Sequence, residues 1–168
     1  MVVLLAPPND NGTIEVLAQT SGKYYPSSYL RAPATVAGTS VTTPYNLTLV
    51  QGVYTVSFTK VQGYYAPNPR NVTVIPRGIT YAVGVYDPIP SVVMVTKSGF
   101  NQTKVDAING VTPVIWINGM STFTVLVIQP QGRVVLQPGQ NFTLVFQEPG
   151  QYQFNIYPEG QGGYVQVG

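Results

Sequence analysis

The chain alternates. In Val53-Tyr54-Thr55-Val56-Ser57-Phe58, an extended backbone puts Tyr54, Val56 and Phe58 on one face and Thr55 and Ser57 on the other. Asn141-Phe142-Thr143-Leu144-Val145-Phe146 repeats this with Phe142, Leu144 and Phe146 on one side, and Asn71-Val72-Thr73-Val74 with Val72 and Val74. No stretch carries a convincing 3.6-residue apolar period. Strands are therefore predicted over 2–6, 13–19, 41–50, 53–60, 71–75, 79–86, 91–97, 111–118, 121–129, 133–137, 141–146, 151–156 and 164–167. Short strands joined by Gly/Pro turns predict β-sandwiches.

One interruption divides the series. Asp87-Pro88-Ile89-Pro90 carries two prolines in four residues, and a proline has no N–H to give a ladder. The pattern predicts an all-β chain of two tandem antiparallel β-sandwiches, residues 1–89 and 90–168. An internal echo supports the division. Asn46-Leu47-Thr48-Leu49-Val50, then Gly52-Val53-Tyr54-Thr55-Val56, matches Asn141-Phe142-Thr143-Leu144-Val145, then Gly150-Gln151-Tyr152-Gln153-Phe154. Each reads as a hairpin closing its own half. Convergence on a glycine turn explains the echo more economically than duplication.

Composition narrows the function. The 168 residues suit one large domain or two small ones. Only 8% are charged, against roughly 25% in ordinary soluble domains, and the net charge is +2. No basic run or stripe is available to neutralise phosphates, so no nucleic-acid partner is expected. Cysteine and histidine are both absent. That excludes disulfides, thiolate metal sites, thiol catalysis and the usual general base near neutral pH. The expectation is a protein that is not an enzyme, with no catalytic residues, cofactor or metal. The acids are Asp10, Glu15, Asp87, Asp106, Glu148 and Glu159. Glu148 and Glu159 flank the 151–156 strand of the last hairpin, but no motif marks them as a glycosidase pair. Asn9-Asp10-Asn11-Gly12 lacks the later Glu of a calcium loop and reads as a turn.

No segment is long and apolar enough to span a bilayer, since Met1 to Ala6 stops at Pro7-Pro8. Without a positive flank that run is not a secretory signal either. It fits two roles: the first strand of its own domain, or a tethered strand added to a neighbour's sheet. Yet five Asn-x-Thr sequons occur, at Asn11, Asn46, Asn71, Asn101 and Asn141, taking five of ten asparagines. Ser and Thr make up 25 of the 168 residues, so chance would give on the order of one or two. These are the candidate glycosylation sites. In the alternating strands, Asn46, Asn71 and Asn141 are each followed by an apolar residue, so each is expected to face outward. Asn11 and Asn101 lie in turn-rich segments, exposed for that reason. Glycans would supply the solubility that few charges cannot.

Tyrosine is concentrated early, nine of twelve before residue 90. Two loops gather candidate interface or ligand residues: Tyr24, Tyr25, Tyr29 and Arg31 in one, Tyr64, Tyr65 and Arg70 in the other. Such rings, with Arg or Lys beside them, suit a protein interface or sugar stacking. Folding back over the open end of a sandwich is the alternative use of the same rings. Trp116, between Ile115 and Ile117, reads as core.

The second half resembles the cupredoxin family over residues 91–168. Val111 to Asn118 is similar to the strand that ends in Asn before that family's first copper ligand, and Phe123-Thr124-Val125 stands where the family has His-Thr-Val. Leu136-Gln137-Pro138-Gly139-Gln140-Asn141-Phe142 and Phe146-Gln147-Glu148-Pro149-Gly150-Gln151-Tyr152-Gln153-Phe154 follow the family's order of Pro-Gly and aromatic motifs. The resemblance implies a cupredoxin-like fold. It places Ile156 in the thiolate slot, Tyr157-Pro158 near the second imidazole and Gln161 near the axial Met. No copper ligand is kept, and type 1 copper needs a thiolate and two imidazoles. Electron transfer is rejected.

The first half more loosely resembles transthyretin-like or PEGA-like sandwiches of surface proteins, through Thr43-Pro44-Tyr45-Asn46-Leu47-Thr48-Leu49, Gly52 to Phe58, Gly63-Tyr64-Tyr65 and Pro67. Its expected fold is Ig/transthyretin-like. The composition resembles surface and virion proteins of thermophilic archaea. These resemblances imply a non-catalytic structural protein of an exterior assembly, a virion shell or a cell-surface layer or filament. Its expected partners are other subunits of that assembly, as homo- or hetero-oligomers. Its expected place is extracellular, on a cell surface or a virion exterior. The alternative is a carbohydrate-binding or adhesion module that uses the tyrosine loops to bind glycans.

Overall fold

The computed structural model describes residues 10–158, 160 and 162–168. The 2–6 strand, Asn9, Glu159 and Gln161 lie outside the described residues. The chain is all-β and divides into two compact units, Met1–Asp87 and Pro88–Gly168.

The first unit stacks two four-stranded sheets. Its strands are β1 (Asn11–Thr20), β2 (Pro33–Val36), β3 (Thr39–Thr42), β4 (Tyr45–Val50), β5 (Gly52–Phe58), β6 (Tyr64–Tyr65), β7 (Arg70–Val74) and β8 (Ile79–Pro88). Sheet I has the order β4-β1-β8-β6 and sheet II the order β3-β2-β5-β7. Alternation sets the inward faces. Ile14, Val16 and Ala18 of β1, Val36 of β2, Val56 and Phe58 of β5, and Ala82 and Tyr86 of β8 are buried. Tyr86 lies edge-on to both Phe58 and Tyr64, at 6.4 and 6.2 Å, and its hydroxyl donates to the Thr59 carbonyl at 2.7 Å.

The second unit is also a sandwich. Its strands are β9 (Ser91–Thr96), β10 (Gly99–Phe100), β11 (Lys104–Ala107), β12 (Pro113–Asn118), β13 (Thr124–Ile128), β14 (Gly132–Leu136), β15 (Asn141–Val145), β16 (Gly150–Tyr157) and β17 (Gly162–Val167). Sheet III is β10-β9-β12-β15 and sheet IV is β11-β17-β16-β13-β14. Trp116, fully buried, anchors the core. Phe154 and Phe146 meet it edge-on at 5.7 and 6.5 Å, and Phe142 lies tilted at 6.3 Å. Edge-on pairs of this kind each add about 0.5–1.5 kcal/mol beyond the area they bury.

Three expectations are corrected. Three of the four sheets are mixed rather than wholly antiparallel: β1 runs parallel to β8, β9 to β12 and β11 to β17, while sheet II keeps antiparallel pairing throughout. The 41–50 segment is two strands, because Thr43 and Pro44 leave the ladder between β3 and β4. Buried Thr43 serves as a bridge, accepting from the Ala32 N–H and donating to the Leu30 carbonyl.

The third correction concerns the echoed hairpins, which are corners. β4 belongs to sheet I and β5 to sheet II; β15 belongs to sheet III and β16 to sheet IV. At each crossing the tyrosine two residues past the glycine reaches back four residues. Tyr54 donates to the Val50 carbonyl and Tyr152 to the Glu148 carbonyl, both at 2.9 Å. Gly52 and Gly150 have φ of 158° and 154°, in a region essentially reserved for glycine. A tyrosine hydroxyl tied to upstream backbone at a sheet-to-sheet crossing is the tyrosine corner of β-sandwiches.

Candidate functional surface

The pole of the second unit onto which the sequence resemblance maps the copper-ligand positions is held by Asn118. Its amide donates to the Thr122 and Leu136 carbonyls, each at 2.8 Å, and its Oδ1 accepts from the Met120 N–H at 3.0 Å. A buried amide with three partners fixes the loop that leads into β13. Phe123, exposed, follows Thr122, and β13 beyond it pairs Val125 with exposed Tyr157 and Leu126 with buried Ile156; Arg133 lies 4.9 Å from the Tyr157 ring centre. A hydrocarbon and aromatic set of this kind offers no thiolate or imidazole to a metal. Among the described residues no group of three or more acids lies close enough to hold one.

The tyrosine loops separate into two situations. Tyr64 is turned into the core at 5% exposure, so it offers no face to a partner, a correction to its place among the interface candidates. It accepts a hydrogen bond from Tyr25 at 3.0 Å. Burial first, then that bond and charge, hold the Tyr25 hydroxyl above its ordinary range. Burial does the same to Tyr86. Tyr24 carries Lys23 at 5.1 Å from its ring centre, and Tyr29 and Arg31 are exposed. Tyr65 and Arg70 come together in a cleft of about 310 Å³ that also takes in Val83, Val85 and Asp87. Arg70 is tied there by donation to the Val83 carbonyl at 2.7 Å. Asp87 was legible only as part of a linker; its place beside Tyr65 depends on β8 continuing to Pro88.

All five sequon asparagines are exposed. Register sorts them among the sheets. Asn46 lies opposite Glu15 and Asn11 opposite Val50 on the outer face of sheet I. Asn71 lies opposite Thr55 on the outer face of sheet II and accepts its hydroxyl at 2.8 Å. Asn141 lies opposite Ile117 on the outer face of sheet III, and Asn101 accepts from the Met94 N–H beside β9 of the same sheet. The outer face of sheet IV carries none.

No protein-family model and no curated protein sequence matches the chain. Solved cupredoxins resemble it. A purple cupredoxin from Nitrosopumilus maritimus is 21% identical, covering 46% of this chain and 99% of its own, with a TM-score of 0.42. An oxidised amicyanin mutant is 23% identical over 47% of this chain and 82% of its own, also at 0.42. The Bacillus anthracis TIE protein, 15% identical with a TM-score of 0.50, covers 95% of this chain, and the match spans 33% of that protein. What is shared at such identities is fold.

Proposed function

We propose that this protein is a non-catalytic structural subunit of an exterior assembly, a virion shell or a cell-surface layer or filament, acting through contacts with other subunits. The observation that supports it is the outward placement of all five sequon asparagines, on regular strands and at one sheet edge, where a glycan disturbs no packing. The first unit fits this as a transthyretin-like spacer and the second as a cupredoxin-like sandwich that carries Ile156, Phe123 and Tyr157 at the positions where the resemblance would place copper ligands. The absence of His and Cys removes the commonest catalytic groups.

The test is the intact mass of the protein purified from its native source. The bare chain is 18.1 kDa, and the proposal expects discrete additions above it. A mass equal to the bare chain overturns the glycosylated exterior reading. A second reading, a carbohydrate-binding module, is favoured by the cleft that joins Tyr65, Arg70 and Asp87. It expects glycan binding that Tyr65→Ala abolishes. A silent glycan array rejects it.

A further inference from the structure

The sequons avoid one of four outer sheet faces, and that face differs in chemistry from the others. Sheet IV is the widest, with five strands. Its outward residues form two adjacent rows. Lys104, Tyr164 and Gln153 lie side by side across β11, β17 and β16, and the next row is Asp106, Gln166 and Gln151. Gln151, Gln153 and Gln166 are exposed, as are Lys104 at 58% and Asp106 at 74%. The same face carries exposed Tyr157 and Val135 toward β14.

The two rows are complementary to each other. A two-fold axis running across the strands, between the rows, exchanges them. It sets Lys104 of one copy against Asp106 of the other, twice, in exchange for the 3.6 Å ion pair that the two side chains make within one chain, and Gln151 against Gln153, twice. A primary amide both donates and accepts, so facing glutamines pair without a charge penalty. Unlike charges that oppose one another fix register and exclude other pairings. The self-complementarity needed for an isologous contact is thus present in the order of residues on β11 and β16.

We infer that the outer face of sheet IV is a contact surface for a second copy of this chain, related by such a two-fold axis. The inference rests on the exterior-subunit reading for its account of the sequons: a glycan on this face would block the contact, and the other three faces accept glycans.

The test is self-association measured by sedimentation equilibrium on the full chain made without glycans. Two double variants discriminate. Gln151→Glu with Gln153→Glu places like charges against each other across the axis and should weaken association at least ~10-fold. Gln151→Glu with Gln153→Lys places unlike charges together and should associate as tightly as the parent or more so. These side chains are exposed, so far-ultraviolet spectra should match the parent. The edge charges give an independent pair: Asp106→Lys weakens association, and adding Lys104→Asp restores it. A parent that stays monomeric up to about 1 mM overturns the inference, as do paired variants that weaken alike or not at all. A bare native mass would remove the exterior reading while leaving this outcome to stand on its own measurement.

Discussion

The two units share a corner and differ in core. Each turns from one sheet to the other over a glycine with a tyrosine two residues on, bonded back to a carbonyl at 2.9 Å. Behind the corner, the first unit packs small aliphatics, with Phe58, Tyr64 and Tyr86 as its buried aromatic rings. The second gathers Phe142, Phe146 and Phe154 around one indole. A local device that depends on backbone geometry thus serves two unrelated packing solutions. The difference also separates their chemistry. In the first unit two buried rings, Tyr64 and Tyr86, carry hydroxyls that need partners; in the second the buried rings are Trp116, Phe146 and Phe154, and the one hydroxyl-bearing ring packed on them, Tyr152, is half-buried at the corner.

The contrast can be broken at the core. Trp116→Ala should cost about 3–5 kcal/mol, because the ring leaves a cavity among residues already packed on it. The loss should fall on the second unit. Urea unfolding followed by hydrogen exchange reads it, and equal loss of protection in both units would show that their cores are not separate. The equivalence of the corners is a finer question. Tyr54→Phe and Tyr152→Phe should each cost about 0.5–1.5 kcal/mol, and by similar amounts. A clear inequality in urea midpoints would mean that one corner is carried by its glycine and packing alone.

Alkali should sharpen the contrast with the smallest effect. The Tyr25 and Tyr86 hydroxyls are held above the ordinary value of 10.0 in the folded chain. The unfolded chain therefore releases those protons first as pH rises. Stability from this source is complete below about pH 10 and lost above it, toward the folded-state values. The first unit should open first on titration into alkali, and Tyr25→Phe should lessen that loss. Identical alkaline curves for the parent and Tyr25→Phe would remove Tyr25 as a cause.

Alternation made most strands legible, because one buried face imposes a period of two. It failed where strands are short or charged. Pro33–Val36 offers only Ala34 and Val36 to the core, and in Lys104–Ala107 two charges alternate with Val105 and Ala107. That second pattern was readable, and its charges hid it. The corners were misread as hairpins because strand, glycine, strand reads the same whether the chain returns to its own sheet or crosses to the other. Nor does a pair such as Tyr64-Tyr65 say which ring turns inward. The amide rows of sheet IV were present as Gln151-x-Gln153, yet their partners on β17 and β11 come from register, which one sequence does not display.

The parallel pairing of β1 with β8 has a mechanical consequence. These are the first and last described strands of their unit, matched from Thr13 beside Ile79 to Thr20 beside Tyr86. Because they run the same way, the start of β1 and the end of β8 lie at opposite ends of the pair. Tension carried along the chain through this unit therefore slides the two strands lengthwise, loading their hydrogen bonds together instead of peeling them apart singly. A pull along the backbone of this unit therefore meets the whole β1–β8 ladder at once, from Thr13 beside Ile79 to Thr20 beside Tyr86.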